Sequence, residues 1–282
     1  MVIENQSDTF DVGGETVHRL GFGAMRLTGD HIIGDPDDRE AAKAVLRRAV
    51  ELGVDLIDTA DSYGPGVSET LIGQTLGDTD DAMVATKGGL LRSRDGDWIK
   101  HGDPDYLEDA VLSSLDRLRT DEIDLYQYHR PDPDVPFEDS VSKLAELQDA
   151  GLINHVGLSN VSVEQLSTAR DIVDVVTVQN RFNLDDRSSA DVLAACEDAG
   201  VGFIPWGPIH MGDGEAAEVA HEVADSHDAT PQQVAIAWQL ERSPVMLPIP
   251  GTSSIEHLEE NVAATGLELT DDEVRRLTAA GE

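Results

Sequence analysis

The feature that most constrains this chain is a recurrence: about eight times along its length a short apolar run is followed by a longer amphipathic one. Taken as strands, the runs are Arg19–Met25, Asp55–Asp58, Ala82–Lys87, Ile123–His129, His155–Ser159, Val175–Asn180, Val201–Trp206 and Val245–Ile249. Each is rich in Val, Ile, Leu or an aromatic residue. Most lack the polar alternation of a strand with one wet face, the pattern of parallel strands covered on both sides. The intervening segments carry helix signals. Asp103 caps a segment with Pro104 in its first turn and Leu107, Val111, Leu112, Leu115 and Leu118 along one face. Ser162 with Gln165, and Thr230 with Gln233 behind Pro231, read as capping boxes. Gly53, Gly151 and Gly200 stand between helical runs and strands, where a left-handed cap belongs. Eight strand–helix units of about thirty residues each are the arithmetic of an α/β (β/α)8 TIM barrel; a doubly wound open sheet is the alternative. Gly13-Gly14 adds a short N-terminal β-hairpin. No Ser-, Gly- or Pro-rich linker divides residues 1–282, so one domain is expected.

Fifty-six acidic against twenty basic residues give a net charge of −36, with a hydrophobic content of 40%. That hydrophobic share belongs to a folded chain. The charge repels phosphate backbones and anionic membranes, so nucleic acid and membrane partners are excluded. No run approaches the roughly eighteen apolar residues of a membrane span. The opening Met1–Asp8 lacks the basic and apolar regions of a signal peptide, so a cytoplasmic protein is expected. A single cysteine, Cys196, excludes an internal disulfide and falls at helical spacing with Val192 and Leu193, which makes it a small core residue. Only four lysines occur, at 43, 87, 100 and 143, against sixteen arginines. Many aspartates with few lysines fit a halophilic protein, because molar salt shortens the Debye length to about 3 Å and removes self-repulsion.

A barrel of this kind carries its site at the C-terminal ends of the strands. There the chain places Asp58-Thr59-Ala60-Asp61-Ser62-Tyr63-Gly64, Thr86-Lys87-Gly88-Gly89, Tyr128-His129-Arg130-Pro131, Gly157-Leu158-Ser159-Asn160 and Val178-Gln179-Asn180. An acid, a phenol, an ammonium and an imidazole converge. A free phenol, with a pKa of about 10, donates protons poorly near neutrality. A buried ammonium lowers that value, and a carboxylate beside the ammonium keeps it charged. Asp58, Tyr63 and Lys87 supply that set, with His129 left to orient the oxygen being protonated. Each residue alone has a plainer reading as a turn former, rim aromatic, strand end or core histidine; their joint occurrence at successive strand ends points to proton delivery to a carbonyl oxygen. After the eighth strand, Gly251-Thr252-Ser253-Ser254 leads into a helix with Ser253 and Glu256 as a capping box, offering N–H groups to an anion. The nine histidines show no His-x-His or His-Glu-x-x-His spacing, so no metal site is expected.

At these residues, in this order, the chain resembles the aldo-keto reductases from about Arg19 to Asn261. Gly23-Ala24-Met25-Arg26-Leu27-Thr28-Gly29 and Ile249-Pro250-Gly251-Thr252-Ser253-Ser254 resemble the bacterial pyridoxal-reductase-like branch. The resemblance implies a barrel that binds NADP(H), with NAD(H) as the alternative, and reduces aldehydes or ketones by hydride transfer. It makes Tyr63 the general acid, tuned by Lys87 and Asp58, with His129 orienting the carbonyl. Ser159, Asn160 and Gln179 would hold the nicotinamide carboxamide, and Trp206 would stack on the ring where the family commonly has tyrosine. Gly207, Pro208, Ile209, Gly251, Thr252, Ser253, His257, Glu260 and Asn261 complete the implied cofactor set. Gly251 and His257 stand where many members carry a lysine and an arginine around the adenosine 2′-phosphate, which leaves that phosphate to Thr252 and Ser253. The family also includes redox-sensing subunits that bind cofactor with little turnover, and its default state is a monomer. The expected partner is a small carbonyl substrate. Its walls are Leu27–Asp37, Gly88–Gly102 with Trp98, and Arg130–Pro136; with the chain ending soon after a helix over Thr270–Ala279, the pocket is expected to be open and to accept small carbonyls broadly.

Overall fold

In the computed structural model, Ile3, residues 8–77 and residues 81–281 are described. Most of the stretch read for a targeting signal lies outside them. A hairpin of β1 (Thr9–Val12) and β2 (Glu15–His18), turned at Gly13-Gly14, precedes β3 (Phe22–Gly23), α1 (Arg39–Glu51), β4 (Leu56–Asp58), α2 (Val67–Thr75) and β5 (Met83–Gly88). A second hairpin, β6 (Leu90–Arg92) with β7 (Trp98–Lys100), leads to α3 (Pro104–Leu118), β8 (Ile123–Tyr128), α4 (Phe137–Asp149), β9 (Ile153–Ser159) and α5 (Val163–Arg170). Then follow β10 (Val175–Arg181), α6 (Ala190–Ala199), β11 (Gly202–Trp206), α7 (Glu215–His227), α8 (Pro231–Arg242), α9 (Ile255–Ala263) and α10 (Asp271–Ala280).

Seven strands form one parallel sheet in the order β11-β10-β9-β8-β5-β4-β3. The expected eighth strand, Val245–Ile249, makes a single bridge, Met246 with Phe203, rather than a regular strand, yet it closes the sheet into a barrel. On one side Phe203 N–H donates to Val245 O at 2.7 Å and Leu247 N–H to Phe203 O at 2.8 Å. On the other, Gly21 N–H donates to Pro248 O at 3.0 Å and Gly23 N–H to Pro250 O at 3.4 Å. The reason is chemical: Pro248 and Pro250 have no N–H, so this edge accepts from its β3 neighbour without donating back. The first expected strand is likewise short, ending where a 3-10 turn over Ala24–Leu27 begins.

The barrel interior at its N-terminal end is plugged by Val12 and Val17 of the first hairpin against Leu56, Met83, Ala85, Leu125, Ile204 and Leu247. The opposite mouth is therefore the one left for a site. A second, larger core lies between sheet and helices. The helix ends follow the sequence closely. Asp103 accepts from Asp105 and Tyr106 N–H, two of the three expected capping boxes form, at Ser162 and at Thr230, and another forms with Thr270 and Glu273. Gly53, Gly151 and Gly200 take the left-handed conformation at φ 87°, 73° and 67°. Two expectations fail. Leu112 lies off the buried face of α3 and is 47% exposed, because it follows Val111 by about 100° around the helix. The α9 cap is Ser254, which accepts from His257 N–H at 3.3 Å, so no Ser253–Glu256 box forms. Cys196 is fully buried among the α6 contacts to the core, and burial pushes its thiol up to about 12. Among the described residues no helix is long and apolar enough to cross a membrane.

Candidate active site

The loop after β4 carries the phenol, and backbone bonds fix its course. Thr59 N–H donates to Ala85 O at 2.8 Å, Asp61 N–H to Lys87 O at 3.1 Å and Gly66 N–H to Asp61 O at 2.7 Å. β5 is parallel to β4 with Ala85 opposite Asp58, so Lys87 stands two residues further along β5 on the same face as Ala85, within reach of the Asp58 carboxylate. Lys87 Nζ donates to Asp58 Oδ1 at 2.6 Å and to Thr59 O at 2.7 Å, with no solvent exposure at all. Asp58 Oδ2 accepts from Gln179 Nε2 at 2.7 Å and Gln127 Nε2 at 3.2 Å. The carboxylate is therefore held by three buried side chains from three different strands. Gln127 was not among the residues expected from sequence. The available signal was its place on β8, in register with Lys87 and two residues before His129.

The electrostatics divide in two directions. Burial works against the Lys87 ammonium, but Asp58 and Tyr63 together outweigh it and hold the lysine above its ordinary value. Tyr63, with Lys87 Nζ 5.2 Å from its ring centroid, corrects the expectation of a lowered phenol pKa. Its burial is the largest influence and raises the value; Lys87 pulls it down but does not win. The phenol is thus firmly protonated at neutral pH, with an ammonium beneath it. His129 follows β8, its N–H donating to Gly88 O at 2.8 Å, and its ring stands edge-on to Tyr63 at 6.0 Å. Burial, then Lys87 and Arg130, push its pKa well below the ordinary histidine value, so the imidazole is neutral. Ser62 Oγ lies 3.5 Å from His129 Nδ1.

Behind Tyr63 lies a second buried acidic cluster that sequence reasoning left unused. Tyr106 OH donates to Asp61 Oδ2 at 3.2 Å, while Glu69 accepts from Arg117 Nε at 2.6 Å and Thr86 Oγ1 at 2.5 Å. Burial, then the nearby Glu69, raise the Asp61 carboxyl to about 7. Its Oδ1 has no hydrogen-bond partner.

A cavity of about 470 Å³ opens above this floor. Asp58, Tyr63, His129, Ser159, Asn160, Gln179, Trp206, Gly207, Pro208, Ile209 and Gly251 all line it, joined by Met25, Arg26, Leu90, Trp98, Arg130 and Ile249. Lys87 lies beneath it. Thr252, Ser253, His257, Glu260 and Asn261 do not line it. Thr252 Oγ1 instead accepts from Ser254 N–H at 3.0 Å, Ser253 and His257 are exposed, and Asn261 is buried in α9. Gly251 has a steric reason to be glycine: a Cβ there would stand 2.8 Å from Gly23 O, across the closure of the barrel.

One wall of the cavity suits a flat amide-bearing ring. Trp206 Nε1 donates to Asn160 Oδ1 at 3.0 Å, and Asn160 Nδ2 donates to Ser159 Oγ at 2.9 Å and His129 O at 3.1 Å. An aromatic face is thereby tied to an amide, and the Arg26 side chain lines the cavity with Gly251. These groups fit a nicotinamide dinucleotide. Among the described residues no group of three or more His, Cys, Asp or Glu side chains could hold a metal ion.

Comparison with known proteins agrees with this geometry. Residues 19–282 match the model of the aldo/keto reductase family. An uncharacterized oxidoreductase of Schizosaccharomyces pombe is 46% identical over 279 residues, covering 99% of this chain and 91% of that protein. Pyridoxine 4-dehydrogenase of Escherichia coli is 40% identical over 274 residues, covering 94% of this chain and 96% of the enzyme. An aldo/keto reductase from Klebsiella pneumoniae, crystallised with NADP and acetate, superposes with a TM-score of 0.81 at 26% identity, covering 97% of this chain and 95% of that one. Fold, strand-end chemistry and relatives converge, and the chain belongs to the aldo/keto reductase family.

Proposed function

We propose that this chain is a single-domain NADPH-dependent carbonyl reductase in which Tyr63 is the general acid. The observation that carries the reading is the Lys87–Asp58 pair at 2.6 Å, sealed from solvent beneath Tyr63 with a neutral His129 beside it. When bound, the cofactor supplies a hydride to the carbonyl carbon. The chain supplies the proton. Tyr63 Oη protonates the carbonyl oxygen, and the Lys87 ammonium stabilises the phenolate left behind. Asp58 keeps Lys87 charged, while Gln127 and Gln179 occupy the carboxylate oxygen that Lys87 leaves over. His129, uncharged, orients the carbonyl oxygen by hydrogen bonding without competing for its proton.

Ser159, Asn160 and Trp206 would hold the nicotinamide, and Gly207, Pro208, Ile209 and Gly251 would flank it. Gln179 serves Asp58 first in this reading, which shifts carboxamide recognition toward Ser159 and Asn160. Thr252, Ser253 and the α9 N-terminus, with His257, Glu260 and Asn261, are assigned to the adenosine end. Pyridoxal is a candidate substrate through the 40% identity to pyridoxine 4-dehydrogenase. The test is NADPH consumption over a panel of aldehydes. Steady turnover with several of them is expected; tight NADPH binding with turnover at background would favour a redox-sensing subunit instead.

A further inference from the structure

Many cations on this chain, which carries 56 acidic residues, are held by a carboxylate. Arg19 finds Asp8, Arg48 finds Glu51 and Glu259, Arg117 finds Glu69, and Arg276 finds Glu222. Among the described residues, Arg26 and Arg130 make no hydrogen bond or ion pair, and both line the 470 Å³ cavity. The acid lining that cavity is Asp58, already bound to Lys87. The cavity is therefore cationic inside a protein of net charge −36.

The two arginines come from different loops. Arg26 Cγ lies 3.7 Å from where a Cβ on Gly251 would stand, on the side of the barrel closure and α9. Arg130 follows His129 directly, whose ring stands 6.0 Å from that of Tyr63, and it lines the same cavity as Trp98 and Leu90. The nearest acid in the following loop does not neutralise it. Asp132 has one oxygen taken by Gly102 N–H at 2.9 Å and the other by Asp134 N–H at 3.0 Å. Trp98 is itself pinned: the Arg92 guanidinium covers it at 3.8 Å, and Arg92 Nη2 donates to His31 O at 2.9 Å. Its ring stands 6.5 Å from that of His129. An aromatic ring near His129, a leucine and a half-buried guanidinium with its donors open thus line one cavity with Tyr63.

We propose that Arg130 receives an anionic group, a carboxylate or a phosphate, carried by the carbonyl substrate, with Trp98 and Leu90 covering the apolar link between that anion and the carbonyl. The assignment rests on the carbonyl-reductase reading and narrows it, replacing broad acceptance of small carbonyls by a preference for charged ones.

Matched substrate pairs test it at fixed ionic strength with NADPH: benzaldehyde against 4-carboxybenzaldehyde, butanal against succinic semialdehyde, and glyceraldehyde against its 3-phosphate. The charged member should be favoured in kcat/KM by about 10- to 100-fold, the range of a charge-assisted hydrogen-bonded pair, mainly through KM. In Arg130→Gln that ratio should fall close to one, and Arg130→Lys should retain part of it, since a point charge replaces a fork. The carboxylate and phosphate pairs report separately on the two kinds of anion. Equal use of both members by the parent protein, or a preference that survives in Arg130→Gln, overturns the assignment. So does a loss of NADPH affinity in Arg130→Gln as large as the loss of ratio, which would give Arg130 to the cofactor. If no aldehyde of either charge is reduced while NADPH binds, the reductase reading itself fails and the assignment falls with it.

Discussion

The floor of the cavity and the start of α9 are built on opposite terms. At the floor, Asp58, Lys87, Gln127 and Gln179 are buried and hydrogen-bonded to one another. At the start of α9, Ser253 and His257 are exposed, while Thr252 and Ser254 use their hydroxyls on the helix's own backbone. A buried ion pair allows few alternatives, because a charge left without its partner is costly. A surface anion site can be rebuilt from many groups, and its strength shifts with salt. The floor, proposed to deliver the proton, should thus be intolerant of change, and the start of α9, proposed to hold the adenosine end, tolerant.

The sharpest attempt to break that contrast is Lys87→Met. It should lower kcat by about three orders of magnitude or more, a loss on the scale of removing a general acid's activating charge. It should also cost about 3–5 kcal/mol of stability, read by denaturant unfolding, because Asp58 is left buried without its ammonium. Adding Asp58→Asn should restore much of the stability and none of the activity; a Lys87→Met protein with ordinary turnover would break the account of the floor.

Next comes the pH dependence of stability. Asp61 has a folded-state value of about 7 against an ordinary 3.8, so between those values the folded protein holds a proton that the unfolded chain releases. The resulting stabilisation is complete below about pH 4 and is lost as pH rises through 7, amounting to no more than about 4 kcal/mol. Asp61→Asn should flatten the slope of Tm against pH between pH 5 and 8; an unchanged slope would place its origin elsewhere. In kinetics, His129 is neutral over that range, so in Asp61→Asn, which removes the other group titrating there, kcat/KM for reduction should show no break near the ordinary histidine value; a break in that variant would contradict the neutral imidazole.

The smallest effects belong to the adenosine end. His257→Arg should raise the preference for NADPH over NADH by only a few-fold, as an exposed cation does. Cofactor affinity should rise with KCl and then level off, because salt screens the distant surface carboxylates more than the backbone N–H groups in contact with the anion. A monotonic fall in affinity from low to molar salt would contradict this.

How much was legible in the sequence follows the same division. The strands and the convergence of Asp58, Tyr63, Lys87 and His129 could be read because apolar runs locate strands and polar residues at their ends have one place to go. The apolar run Val245–Ile249 predicts a regular eighth strand, but Pro248 and Pro250 have no N–H to donate toward β3. Gln127 escaped because a buried glutamine inside an apolar strand shows its purpose only when Asp58 is seen beside it. The lowered phenol was an argument from one charge; burial, which sequence does not weigh, proved larger. The α9 cap slipped by one residue because Ser253 and Ser254 are chemically alike and loop geometry chooses between them. Arg130 lay within an expected wall, but its lack of a partner is a property of three dimensions.

The most direct test of the central claim is Tyr63→Phe, which removes one oxygen from the cavity and leaves Asp58, Lys87 and Trp206 in place. NADPH affinity, followed by quenching of tryptophan fluorescence, should stay within about 3-fold of the parent while aldehyde reduction falls by about 10³-fold or more. Undiminished reduction in that variant, with cofactor bound, would show that the proton comes from another group and would overturn the account.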